Sequence, residues 1–86
     1  RIGFFNGVHP TDELLPLAMK LAAELAAGPT LAHALTKKML HLEWNMGVNE
    51  AIEAEARAQA GLMTSGDFRR AYDGFAAKRK PVFEGR

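Results

Sequence analysis

Apolar residues return along most of the chain with the spacing of α-helices. Between about Thr11 and Ala27, Leu14, Ala18, Leu21 and Leu25 fall at i, i+4, i+7 and i+11, while Glu13, Lys20 and Glu24 lie off that stripe. Thr11 suits the N-cap, Asp12 and Glu13 suit the positive end of the helix dipole, and Gly28-Pro29 stops the helix. Pro16 sits near the first turn, where it removes few backbone bonds and need not break the helix. A second stretch, from about Thr30 to Met46, carries Leu31, Leu35, Met39, Leu42 and Met46 on one face and ends at Gly47. The third, about Asn49 to Thr64, is alanine-rich, with Glu53 and Arg57 spaced as a favourable pair. Its small residues Ala51, Ala54 and Ala58 would let a neighbouring helix come close. Ser65-Gly66-Asp67 breaks the pattern, and either Ser65 or Asp67 can cap a fourth helix running to about Arg79 before Pro81.

Ahead of these helices, Ile2-Gly3-Phe4-Phe5-Asn6-Gly7-Val8 reads as the end of a strand leading into a turn. A lone strand has nothing to pair with, so its partner sheet is expected upstream. The pattern predicts an all-α arrangement of three to four helices, residues 11–86, behind a strand remnant and turn, residues 1–10. Short links suggest that successive helices pair, the first against the second.

Composition narrows the class. The chain has 86 residues, 48% apolar and 24% charged, without cysteine and without a run long enough to cross a membrane. Disulfide and thiol chemistry are excluded, and no charged-then-apolar leader suggests secretion; a cytoplasmic setting is expected. The net charge of +1 conceals an asymmetry. Residues 1–66 carry five Lys/Arg against seven Asp/Glu, and residues 67–86 carry six against three. Such a basic end is commonly just solvated.

Few residues suggest chemistry. His33 and His41 lie about 12 Å apart along a helix axis and cannot share an ion, and His9 precedes a proline, so no metal site is expected. Glu50 and Glu53 open a helix, where negative charge is stabilising anyway; Glu55, nearer the Ile52 face, stays ambiguous. The same three glutamates would repel phosphates if the turn at Gly47 belonged to a DNA-binding helix-turn-helix, and no nucleic-acid partner is expected. No nucleophile set and no phosphate-cradling glycine loop occurs, so no catalytic residue is assigned. In the last helix Phe68, Tyr72 and Phe75 form a stripe of the kind that is usually core, and Lys78 follows Phe75 by three. A ring and an ammonium on one face can also hold a nucleotide. Gly74, inside the helix, suggests close approach of another backbone or a ligand.

Several words of the sequence, in order, resemble those of the crotonase superfamily of enoyl-CoA hydratases and isomerases. Gly3-Phe4-Phe5-Asn6-Gly7-Val8-His9-Pro10 is similar to the family's exit from its spiral core, and Leu21 through Pro29 to its link between helices. Ala34-Leu35-Thr36-Lys37-Lys38 resembles an Ala-x-x-x-Lys stretch. Asp67-Phe68-Arg69-Arg70 and Phe75 through Arg86 resemble its closing segment, the most specific word. Phe4, Phe5, Pro16 and Trp44 depart from the family's usual residues and leave the subfamily open. The resemblance implies the C-terminal helical layer of the crotonase fold, packed over an active site and against neighbouring subunits of a trimer or hexamer. It implies an acyl-CoA thioester substrate, with coenzyme A arriving as part of that substrate and no separate cofactor. Enoyl-CoA hydration in fatty-acid or related metabolism is the leading activity; isomerase, dehalogenase or thioester hydrolase chemistry, or a purely assembly role, are the alternatives. The catalytic groups would lie elsewhere, leaving this segment inactive alone, while Phe75 and Lys78 match positions that touch the adenine and phosphates of CoA.

Overall fold

A computed structural model describes residues 2–86. Four α-helices follow one another: α1 (Thr11–Ala26), α2 (Thr30–Leu42), α3 (Val48–Met63) and α4 (Gly66–Ala76), with a 3-10 turn over Glu43–Asn45. Among the described residues there is no strand. Of the segment read as a strand remnant and turn, residues 1–10, Arg1 lies outside the described residues and residues 2–10 are exposed and without regular structure; a strand exists only through hydrogen bonds to a neighbour, and the described residues hold none for it.

The helix ends follow local chemistry, with differences from the sequence reading. Pro10, not Thr11, takes the N-cap position of α1, its carbonyl accepting from the Glu13 N–H at 3.0 Å; no side chain caps this end. The helix runs unbroken through Pro16. At residues 27–29 the axis turns by 103° into α2, so the first helix stands away from the second and does not pair with it. In the short link Gly28 has the His33 ring close against it and Pro29 follows immediately. Regular α-helix stops at Leu42 rather than Met46; the 3-10 turn tightens the chain, and Met46 is extended at φ −107°, ψ 145°.

α2 and α3 lie side by side. Leu35 and Met39 on one and Ala58 and Leu62 on the other line a shared groove, and Ala51, Ala54 and Ala58 are half-buried as the small-residue face requires. Between α3 and α4, Ser65 serves both helices. Its hydroxyl donates to the Leu62 carbonyl at 2.6 Å, and its oxygen accepts the Phe68 N–H at 3.1 Å, the N-cap bond that α4 needs.

No apolar side chain among the described residues is fully buried. The accessible surface is 7692 Å², whereas a closed globule of this mass exposes about 5,000 Å². The radius of gyration is 16.5 Å, against about 12 Å for a compact chain of this length. The segment is an open layer whose apolar faces await cover.

Candidate functional site

The most ordered polar chemistry is gathered on α4 and on the tail that returns beside it. α4 stops at Ala76, short of Arg79, in a left-handed closure. The Lys78 N–H bonds to the Phe75 carbonyl at 3.1 Å and the Arg79 N–H to the Gly74 carbonyl at 2.9 Å. These are the paired bonds of a Schellman ending. The left-handed position is normally glycine's, yet here it belongs to Lys78, at φ 54°. Arg79 and Lys80 extend the basic turn into solvent.

Gly74 explains how the tail can come so close. It is buried, and a Cβ added to it would lie 3.0 Å from the Arg79 carbonyl oxygen and 3.2 Å from the Pro81 Cβ. The approaching backbone expected from the sequence is the chain's own.

At the other end of α4, Asp67 is only 4% exposed. Its carboxylate accepts the backbone N–H of Glu84 at 2.8 Å on Oδ1 and that of Gly85 at 2.8 Å on Oδ2. Arg70 Nη1 donates to the same Oδ1 at 2.8 Å and to the Arg86 carbonyl at 2.9 Å, and the guanidinium also pairs with Glu84. The Asp67 N–H bonds to the Arg86 carbonyl at 2.8 Å. The Glu84 N–H foremost, with the Gly85 N–H and Arg70, holds the Asp67 carboxyl below the ordinary aspartate range despite the opposing pull of burial. Since Ser65 supplies the N-cap, Asp67 is free to hold the tail.

Phe75 is 85% exposed and Tyr72 62% exposed, so the aromatic stripe is not core within this chain. Phe68, the least exposed of the three, lines a groove of about 270 Å³ with Leu31, Leu62, Ala71 and Phe83. Lys78 lies beyond the last helical residue, so helical spacing does not set its direction; it and Phe75 share the C-terminal end of α4.

A second polar feature sits between α2 and α3. Glu43, on the 3-10 turn, meets Glu55 of α3 at the rim of the α2–α3 groove. A hydrogen bond between the two carboxyls, then partial burial, then the like charge push the Glu43 carboxyl above its ordinary value. Glu43 Oε1 is buried with no hydrogen-bond partner. Glu55, left ambiguous in the sequence, thus lies against a second carboxyl, that of Glu43. Glu50 and Glu53 stay at the solvated start of α3, Glu53 paired with Arg57.

The histidines are dispersed: His9 rests against Gly7 and His33 against Gly28. Among the described residues no three acidic or histidine side chains converge on a metal-sized site. No single helix is long and apolar enough to cross a membrane.

A family model described as enoyl-CoA hydratase/isomerase matches residues 1–86. A probable enoyl-CoA hydratase of Rhodobacter capsulatus is 42% identical over 65 residues, which is 76% of this chain and 25% of that protein. An enoyl-CoA isomerase/hydratase of Mycosarcoma maydis is 29% identical over 85 residues, 99% of this chain and 31% of that protein. The crystal structure of a protein described as a candidate enoyl-CoA hydratase of Streptomyces coelicolor A3(2) superimposes on the whole chain at a TM-score of 0.94 and 40% identity, using 31% of its own length. This chain thus spans about a quarter to a third of the proteins it matches. Matched throughout its length by sequence and by fold, the chain belongs to the enoyl-CoA hydratase/isomerase family and forms a helical region of the crotonase fold.

Proposed function

We propose that this segment works inside a longer enzyme that hydrates 2-enoyl-CoA thioesters in fatty-acid or related acyl-CoA metabolism in the cytoplasm. Its own part is to grip the nucleotide end of CoA and to join subunits of a trimer or hexamer. It has no activity alone. The observation that carries the reading is the end of α4, where an exposed aromatic ring, Phe75, stands beside a turn bearing Lys78, Arg79 and Lys80. An aromatic face can cover an adenine whatever the acyl chain, and an ammonium offers a compact positive charge to the phosphates. Neither group can take part in chemistry at the thioester, so their contribution is to binding, the same for ground and transition states.

The test is crotonyl-CoA hydration by the full-length protein and its Phe75→Ala and Lys78→Ala variants. Base stacking on a ring is worth about 1–3 kcal/mol, so KM should rise at least about fivefold in Phe75→Ala, with kcat retained. Unchanged KM in both variants, with sizing unchanged, would overturn the CoA grip. A second reading, assembly alone, is favoured by the apolar faces exposed on α1 and α3. It expects the two variants to leave CoA affinity untouched. Turnover of another acyl-CoA, with none of crotonyl-CoA, would move the enzyme to isomerase, dehalogenase or thioester hydrolase chemistry.

A further inference from the structure

α4 carries ordered chemistry at both ends, and the tail joins them. At its C-terminal end the basic turn leaves the helix; at its N-terminal end Asp67 and Arg70 seize residues 84–86. The intervening chain is thereby closed into a loop lying along the whole helix, about 16 Å for its 11 residues. Pro81 is pressed on Gly74, near the C-terminal end of that path.

This closure bears directly on Lys78. A residue with a Cβ takes the left-handed conformation at a cost, and it persists only where the surroundings over-determine it. Two local bonds of the helix ending favour that conformation. The seated tail removes the alternatives, because Arg79 to Pro81 cannot swing away while residues 84–86 are held. We propose that Asp67 and Arg70 are positioning residues for the nucleotide end of the acyl-CoA substrate, acting through the tail to fix the backbone of Lys78 for its phosphate contact. The inference rests on the CoA grip proposed above. Asp67 is buried, with its carboxylate spent on backbone N–H groups and on Arg70, while the Arg70 guanidinium is turned to the tail by Asp67, Glu84 and the Arg86 carbonyl. A lysine on a frayed tail would have to be ordered at each binding event, and that ordering weakens affinity without altering the chemical step.

The experiment compares two substrates of the full-length enzyme, crotonyl-CoA and the crotonyl thioester of pantetheine, which lacks the nucleotide. Asp67→Asn keeps the size of the side chain but removes the charge that gathers the two N–H groups and the guanidinium. The expected result is a severalfold rise in KM for crotonyl-CoA, with kcat retained and the pantetheine thioester handled as by the parent enzyme. In a Lys78→Ala background, Asp67→Asn should add no further rise. Arg70→Lys keeps the charge but loses the planar fork, and should give a smaller rise of the same kind; it carries the test if Asp67→Asn does not fold. An equal loss on both substrates, or a fall in kcat, would show a general structural role and overturn the proposal. So would a rise from Asp67→Asn that adds fully to that of Lys78→Ala, or no effect of Asp67→Asn where Lys78→Ala has one. If Lys78→Ala itself leaves KM unchanged, the CoA grip fails first and the positioning role falls with it.

Discussion

Replacing Gly74 with alanine tests whether the tail is seated on α4, and two opposing effects set the outcome. Alanine is favoured over glycine within a helix by about 1 kcal/mol. The new methyl would lie 3.0 Å from the Arg79 carbonyl oxygen, 3.2 Å from the Pro81 Cβ and 3.3 Å from the Pro81 nitrogen. Two of these are backbone atoms, and overpacking of this sort costs about 1–3 kcal/mol. A free tail would retreat and reduce the cost toward zero. This one is tied down at residues 84–86, so the clash should outweigh the gain, by up to about 2 kcal/mol. The same substitution at Gly61 in α3 meets nothing within 4 Å and should stabilise by about 0.5–1 kcal/mol. Amide hydrogen exchange on the full-length protein reads the difference locally. The Arg79 N–H, bonded to the Gly74 carbonyl, should exchange faster in Gly74→Ala, by up to about 30-fold. In Gly61→Ala, the amides at the end of α3 should slow. If Gly74→Ala also slows exchange, the tail does not rest on the helix and the reasoning fails.

The Glu43–Glu55 pair makes a pH prediction. A carboxyl whose value is raised on folding stabilises the α2–α3 contact while it holds its proton and loses that contribution as pH rises through the raised value. The groove that Glu43 and Glu55 share is lined by Leu35, Thr36, Met39 and Leu40 of α2 and by Gln59 of α3, none of which carries a charge. Glu43→Gln should flatten the decline that sets in above the ordinary carboxylate range and raise the urea midpoint at neutral pH; an unchanged pH profile would refute the raised Glu43 carboxyl. The isolated segment should associate, since its surface exceeds that of a closed globule by about 2,700 Å², more than a standard interface buries. Sizing chromatography that shows a compact monomer at high concentration would count against this.

Punctuation in the sequence located the elements well. Gly28-Pro29, Gly47 and Ser65-Gly66 each separate elements where expected, because these residues act through local backbone geometry. The misplaced boundaries depend on more distant parts of the chain. α4 stops at Ala76 because the tail turns back there, and nothing between residues 66 and 79 announces a tail held at residues 84–86. Asp67 looked like one of two equivalent caps; its role in the clasp depends on groups 17 and 18 residues away. The carboxyl pair was equally hidden, since Glu43 and Glu55 sit 12 positions apart on different elements. Phe75 and Lys78 were singled out by spacing and by resemblance, yet Lys78 proves to lie outside the helix whose spacing suggested it.

The bend of 103° between α1 and α2 also has a mechanical side. α1 is a 16-residue rod, about 24 Å long, hinged at one end. A rotation of about 10° at residues 27–29 would carry its far tip by about 4 Å, more than a hydrogen bond tolerates. A lever of that length cannot be aimed by its pivot alone. The accuracy with which residues 2–10 meet their surroundings must come from whatever the apolar stripe of α1 lies against, and the joint supplies only the direction of approach.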